Sequence, residues 1–477
     1  MPHTTTPSTD EPSHDLERPR APRKLVPVAF GVVVAAVVLG FLGWDFYTAS
    51  VLNRVVGDIR AKNEPTTAED MAQRVVRVPD EQNFCVPLFE IADRFAGLNT
   101  PSSESENLPL FGARALYPRL GEAHPPEQLA ALKAFLSQHQ TDYDAMKQAF
   151  DRPSGQFTFD WETTLTEADF TDLNLARTAA KLLLLAAMDA TLRGDEAEAI
   201  AWFERCSRLC DAFDRNLPLL SWMTSNALRA LWFESVHRAI NTWEWSPQSL
   251  AMLHKSGVAL AARFTLHDAL IAERVMARME HQNRYIRRAP APPPGAAAPV
   301  DPLAGQNPDL FEAKVISIYT EMVDAAAKAP GRASIEAARE VVYRLGSEPL
   351  FFSSTAQALA HTFEMAANDE ARRQMLIAAI ACEAFRVRRG QWPARLEELT
   401  PEFLERTPVD PFDGRPIRLE SIPDGIKLWT VGSDFIDDGG RIHRQPGSKT
   451  FKTADLGIEL FDPGQRNRPM PPESKKP

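Results

Sequence analysis

Leu25–Trp44, LVPVAFGVVVAAVVLGFLGW, is an uncharged run of 20 residues, longer than any other apolar run in the chain. At about 1.5 Å of rise per residue it spans the roughly 30 Å hydrocarbon layer of a bilayer. Arg18, Arg20, Arg23 and Lys24 crowd its N-terminal flank, whereas Trp44, Asp45, Phe46 and Tyr47 stand at its exit, with no cation before Arg54. Basic flanks stay cytoplasmic and aromatic side chains settle at the membrane interface. A single-pass anchor with a cytoplasmic N-terminus is therefore expected. The run exceeds a typical signal-peptide core and no A-x-A site comes promptly after it, so the anchor is expected to be uncleaved.

Residues 1–24 contain four acidic and four basic side chains, so the whole formal charge of −11 belongs to residues 25–477. An acidic body argues against nucleic acid as a partner, because phosphate binding needs clustered Lys and Arg. Protein partners in the same compartment and divalent cations remain open. Four cysteines are too few for a disulfide framework. Cys206 and Cys210 share a helix face, where Cβ atoms sit about 5–6 Å apart against the roughly 3.8 Å of a disulfide, so they read as buried small residues. Cys85 and Cys382 are left open.

Residues 1–24 read as a disordered cytoplasmic tail. From Ser50 to about Ala61, Val51, Leu52, Val55, Val56 and Ile59 continue the membrane helix outward until Pro65. Helical spacings recur at Ala68–Val76, Phe84–Phe95, Pro126–Gln138 and Asp142–Phe150, the third of these opened by Pro125 and Pro126. The strongest pattern, Leu173–Phe213, breaks at Arg193-Gly194-Asp195. Gly194 suits a left-handed C′ position, Asp195 an N-cap and Glu198 the third position of a capping box, which predicts an antiparallel helix hairpin. Leu219–Ile240 and, after Ser246-Pro247, Gln248–Ala262 form a further pair, with helix resuming through Met279. Hairpins in series suggest a solenoid-like stack, although no fixed repeat period is present. A Pro/Ala-rich loop, residues 288–309, divides this exported domain (45–287) from helices near Leu310–Lys328, Ile335–Leu345 and Thr355–Arg389.

After Gly390 the texture changes. A turn at Gln391-Trp392-Pro393 and a short helix at Ala394–Leu399 lead to Asp410-Pro-Phe-Asp-Gly-Arg-Pro. Next come the alternating runs Ile417–Ile422 and Ile426–Val431, with Pro423-Asp424-Gly425 as hairpin loop. The second run feeds Gly432-Ser433-Asp434-Phe435-Ile436-Asp437-Asp438-Gly439-Gly440. Three carboxylates within five residues, with glycines allowing sharp turns, are suitable chemistry for a hard cation such as Ca²⁺. A solvated Asp/Gly turn has the same composition. The expected fold class is mainly α: a transmembrane helix, a helix-hairpin body and a small C-terminal α+β module (372–461) before a disordered tail (462–477).

The order helix, RGQWPARLEEL, PEFL, VDPFDGRPIRLE, hairpin, LWTVGSDFIDDGG over roughly Arg372–Gly440 resembles the soluble C-terminal part of the type II secretion major pseudopilins. In that family the post-hairpin loop binds calcium, which implies Asp434, Asp437 and Asp438 as ligands, with Ser433 or Leu428 carbonyls beside them. Phe435 departs from the pattern, standing where a small residue is commoner. The anchor also lacks a prepilin cleavage site and the Glu that accompanies it, so a filament subunit is not expected. The whole layout is similar to a family of membrane-anchored helical envelope proteins of bacteria. That resemblance implies an inner-membrane location, a periplasmic body and no particular activity.

Motifs for catalysis are sparse. The ten histidines form no H-E-x-x-H, and Gly447-Ser448-Lys449-Thr450 breaks the phosphate-loop order. There is no G-x-S-x-G, S-x-x-K or C-x-x-C. Two acids brought close in space, such as Glu162 with Asp169 or Glu364 with Glu383, would suffice for a glycosidase. Trp202, Trp222, Trp232, Trp243 and Trp245 are read mainly as core, with Trp243 and Trp245 the more exposed pair. Three functions stand as expectations: a non-enzymatic envelope scaffold with a calcium-stiffened end, an envelope glycan or peptide hydrolase, or an accessory of secretion or pilus machinery.

Overall fold

The computed structural model describes residues 25–100, 105–111, 118–163, 168–213, 216–261, 264–286, 307–346, 350–442 and 455–468. The expected N-terminal tail, nearly all of the 288–309 loop, the Gly447–Thr450 motif and residues 469–477 lie outside them.

Thirteen α-helices and one small sheet make up the described fold. They are α1 (Leu25–Ala61), α2 (Ala68–Ala72), α3 (Cys85–Asp93), α4 (Pro126–Gln138), α5 (Gln140–Ala149), α6 (Thr171–Leu192) and α7 (Glu196–Cys210). Then come α8 (Leu219–Ile240), α9 (Pro247–Ala259), α10 (Leu266–Ile286), α11 (Pro308–Ala326), α12 (Arg332–Arg344) and α13 (Leu350–Arg389). The strands are β1 (Arg418–Ile422), β2 (Gly425–Thr430) and β3 (Leu456–Phe461).

The first helix runs without a break from exposed apolar side chains to buried ones. Among the described residues, its Val34–Ala61 stretch is the one helix long and apolar enough to cross a membrane. Side chains from Val34 to Phe46 are exposed, whereas Thr48, Val56 and Ile59 are buried. Val56 and Ile59 pack on Ile316 of α11, and Lys62 Nζ reaches Asp324 Oδ1 of the same helix at 2.7 Å. Glu64 Oε2 accepts from the buried Arg274 of α10 at 2.7 Å. Apolar burial and an ion pair taken out of water thus join α1 to the body.

The α6–α7 hairpin forms as its sequence predicts. Gly194 adopts φ +73, and a Cβ there would stand 2.9 Å from the Trp243 ring, so glycine is required by both backbone and neighbour. Asp195 accepts from Glu198 N at 3.1 Å. The return half of the expected capping box is replaced: Glu198 pairs with Arg193 at 2.8 Å and Lys147 at 3.3 Å, because two cations attract the carboxylate more strongly than one backbone N–H does. Trp202, Trp222 and Trp232 are core residues, and Trp232 Nε1 donates to Phe203 O at 2.9 Å. Trp243 is half exposed, but Trp245 is buried and donates to Ala239 O at 2.9 Å. All four cysteines are free and buried.

The hairpins do not stay an open stack. In a solenoid each repeat touches only its neighbours, but α13 packs against α8, α9, α12 and β3. It also runs unbroken across residues 371 and 372, so the helix that begins the C-terminal module is a wall of the helical body. Strand order is β1-β2-β3, antiparallel throughout. Ile426, Leu428 and Leu460 are fully buried, with Ile426 opposite Leu460. The outer edge of β3 is covered by the end of α8: Asn241 accepts from Phe461 N at 2.8 Å and donates to Glu459 O at 2.9 Å. An exposed strand edge is thereby satisfied by a helix end.

Residues 462–468, expected in the terminal tail, are instead anchored. Arg466 is buried and donates to both oxygens of Glu383 at 2.9 and 2.8 Å, to Trp243 O and to Phe461 O. Nothing in the local sequence of this segment reports the carboxylate that waits for Arg466 on α13.

Candidate functional site: the C-terminal acidic turn

Asp410 opens the site. It is fully buried, and its Oδ1 accepts from Phe412 N at 2.8 Å while Oδ2 accepts from Val431 N at 2.9 Å and Arg418 at 2.5 Å. The Asp410-Pro-Phe-Asp-Gly turn is thus nailed to the end of β2. Burial pushes the Asp410 carboxyl above its usual range, against the two backbone N–H bonds and Arg418, which pull it down.

Arg418, on β1, is the hub. Its guanidinium meets Asp410, Asp413 and, at 3.2 Å, Asp437 Oδ2. Asp437 Oδ1 accepts from Trp429 Nε1 at 3.1 Å and Gly439 N at 3.0 Å. The Trp429 bond, ahead of the opposing burial, holds the Asp437 carboxyl below its ordinary range, with Gly439 and Arg418 assisting. Asp438 Oδ1 pairs with Arg441 at 2.7 Å, and Asp434 Oδ1 accepts from Ile436 N at 3.1 Å.

Asp455, ahead of β3, accepts from Asp438 N at 3.2 Å and Gly440 N at 2.7 Å. Its carboxyl is raised by burial, which outweighs those two N–H bonds, and further by Asp437 and Asp438 nearby. Gly440 is buried with φ +73, and a Cβ would fall 2.6 Å from Lys427 Nζ.

The three residues the sequence singles out for calcium are therefore close along the turn but engaged separately. Among the described residues, no three His, Cys, Asp or Glu side chains are grouped to hold a metal. The donor set as placed fits guanidinium groups, which take the oxygens that calcium would need. Sequence reasoning misses Arg418, Asp410, Asp413 and Asp455. The available signal is a lone Arg on an alternating strand eight residues after an Asp-Pro turn.

Phe435 explains its departure from a small residue. Its φ is +63, a left-handed conformation that side chains resist. Its ring lies 4.9 Å from the guanidinium of Arg332 and 5.4 Å from that of Arg339, both on α12, and Arg339 also donates to Ser433 O at 3.3 Å. Stacking between two cations offsets the strained backbone. Phe435→Ala, which loses the ring and keeps the strain, is expected to be less stable than Phe435→Gly by about 1 kcal/mol. Equal midpoints of the two variants in thermal denaturation would contradict this account. Ile436 and Val409 are exposed apolar side chains of this module.

Of the acid pairs considered for hydrolysis, the one on α13 is not assembled. Glu364 and Glu383 lie on one continuous helix 19 residues apart, roughly 28 Å at 1.5 Å per residue, far beyond the span of a glycosidase pair. Glu383 is held by Arg386 and Arg466, and Glu364 by Arg339. Glu162 and Asp169 are both exposed and flank residues 164–167, outside the described set. The chain matches no protein-family model, no curated protein and no solved structure.

Proposed function

We propose that this chain is a membrane-anchored envelope scaffold that holds a partner-binding surface, its C-terminal turn, at a fixed place relative to the bilayer. The observation that carries the reading is the change along α1 from exposed apolar side chains to a seam buried on α11, beginning at Thr48. A flexible tether needs no such seam. In this reading the N-terminus is cytoplasmic, the body periplasmic, and the likeness of residues 372–440 to pseudopilins marks the end that meets other envelope or secretion components. In the native turn Arg418 and Arg441 serve Asp437 and Asp438 in place of the calcium that the pseudopilin likeness implies at Asp434, Asp437 and Asp438.

Because the native cysteines are buried, Tyr343→Cys on an 87% exposed side chain is a clean reporter. Labelling by a membrane-impermeant thiol reagent in spheroplasts, together with a discrete adduct from a photoreactive residue at position 436, is expected. Labelling only after lysis would overturn the topology, and absence of any adduct would overturn the scaffold.

A further inference from the structure

Helix α6 buries 13 of its 22 residues, yet one stripe of it is polar: Asn174, Arg177, Thr178 and Lys181 recur at three- and four-residue spacing. That stripe, with Asn99 and the neighbouring face of α8, lines an open cleft of about 890 Å³, within the size range of small-molecule sites. Lys181 Nζ donates to Asn99 Oδ1 at 2.8 Å, and Asn99 Nδ2 donates to Thr178 Oγ1 at 2.8 Å. Arg177 donates to Thr224 Oγ1 at 3.2 Å. Both cations are thus positioned by neutral groups.

This departs from how the chain treats its most deeply buried arginines. Arg229, Arg274, Arg278, Arg386 and Arg466 each sit on a carboxylate. The half-buried Arg205 and Arg208 also make no ion pair among the described residues but rest on the rings of Trp202, Phe84 and Phe150. In a chain with 64 acids against 53 bases, acids are in surplus, yet among the described residues neither Arg177 nor Lys181 makes an ion pair, not even with Asp93, which also lines the cleft. Like charges one helical turn apart repel. Burial, and then Arg177, draws the Lys181 ammonium below its ordinary range. Two half-buried cations held in place and left without an ion pair form a site complementary in charge to an anion.

We propose that this cleft binds a small organic anion bearing carboxylate or phosphate oxygens, with Arg177 and Lys181 contacting the anionic groups and Leu175 and Leu231 its carbon skeleton. Titration calorimetry of the detergent-solubilised full chain with citrate and with inorganic phosphate, at constant ionic strength, tests it. Citrate binding is expected, weakened at least tenfold by Arg177→Met or Lys181→Met and unchanged by Arg395→Gln, a substitution of an exposed arginine elsewhere. Without ligand, Lys181→Met is expected to melt no lower than the native chain, since it removes repulsion. Failure of both probes to bind, equal binding by the variants, or a lower melting point of unliganded Lys181→Met with binding retained would overturn the proposal.

Discussion

Glu383→Ala is expected to destabilise the protein by about 3–5 kcal/mol, the range for removing one partner of a buried ion pair. Glu383 is fully buried and receives four charged hydrogen bonds, from Arg386 at 3.0 and 2.9 Å and from Arg466 at 2.9 and 2.8 Å. Truncation leaves two guanidinium groups facing a void, and Arg466 is itself the clamp that joins the end of β3 to the turn after α8. For a chain of this size the loss corresponds to a fall in melting midpoint of roughly 3–5 °C at neutral pH, read by tryptophan fluorescence. Burial alone would raise the Glu383 carboxyl, but the hydrogen bonds and charges of Arg386 and Arg466 hold it below its ordinary range. A depressed folded value means the stabilisation is complete above the unfolded value of about 4.3 and is lost as pH falls through the folded one. The gap between native and variant should therefore narrow below about pH 4. An unchanged midpoint at pH 7 would show that the cluster contributes nothing net.

What the residues alone reveal, and what they hide, divides by sequence separation. The bounds of α4 and α8, the Gly194 hairpin and the Pro423-Asp424 turn are legible because each depends on side chains within a few positions, through periodicity, capping or a φ that only certain residues accept. The long helix α13 is legible for the same reason. The third strand is not, although Leu456, Ile458 and Leu460 alternate, because its partner β2 ends 26 residues earlier and its outer edge is closed by Asn241, more than 200 residues away. Trp245 looks exposed from its polar neighbours, and no local pattern reports that its indole folds back onto Ala239 O. At the acidic turn the sequence displays the anions and conceals the cation. A stretch of three aspartates is conspicuous, whereas Arg418 is one arginine among many until the β1–β2 pairing sets it beside them.

Arg418→Ala should therefore have the second large effect, about 2–4 kcal/mol, because it strands the buried Asp410 and leaves Asp413 and Asp437 facing it without a shared cation. The lower bound is set by the exposure of Asp437, whose pairing is screened by solvent. Burial pushes up the Asp413 carboxyl, and the hydrogen bonds from Arg418 and the Arg415 N–H overcome it, so Asp413 sits below its ordinary range, as does Asp437. Both contribute stability above about pH 4 that vanishes on acidification, which makes the deficit of the variant greatest near neutrality and smaller in acid. The same substitution weighs guanidinium against calcium as the cation of the turn. With Arg418 in place, the carboxylate oxygens of Asp410, Asp413 and Asp437 are already served by N–H groups. With it gone, those oxygens suit a hard dication. Millimolar calcium should then raise the midpoint of Arg418→Ala by several degrees while moving the native protein little. A native midpoint that climbs with calcium as far as that of the variant would mean that Asp434, Asp437 and Asp438 rearrange to bind the ion despite Arg418, as the pseudopilin resemblance implies.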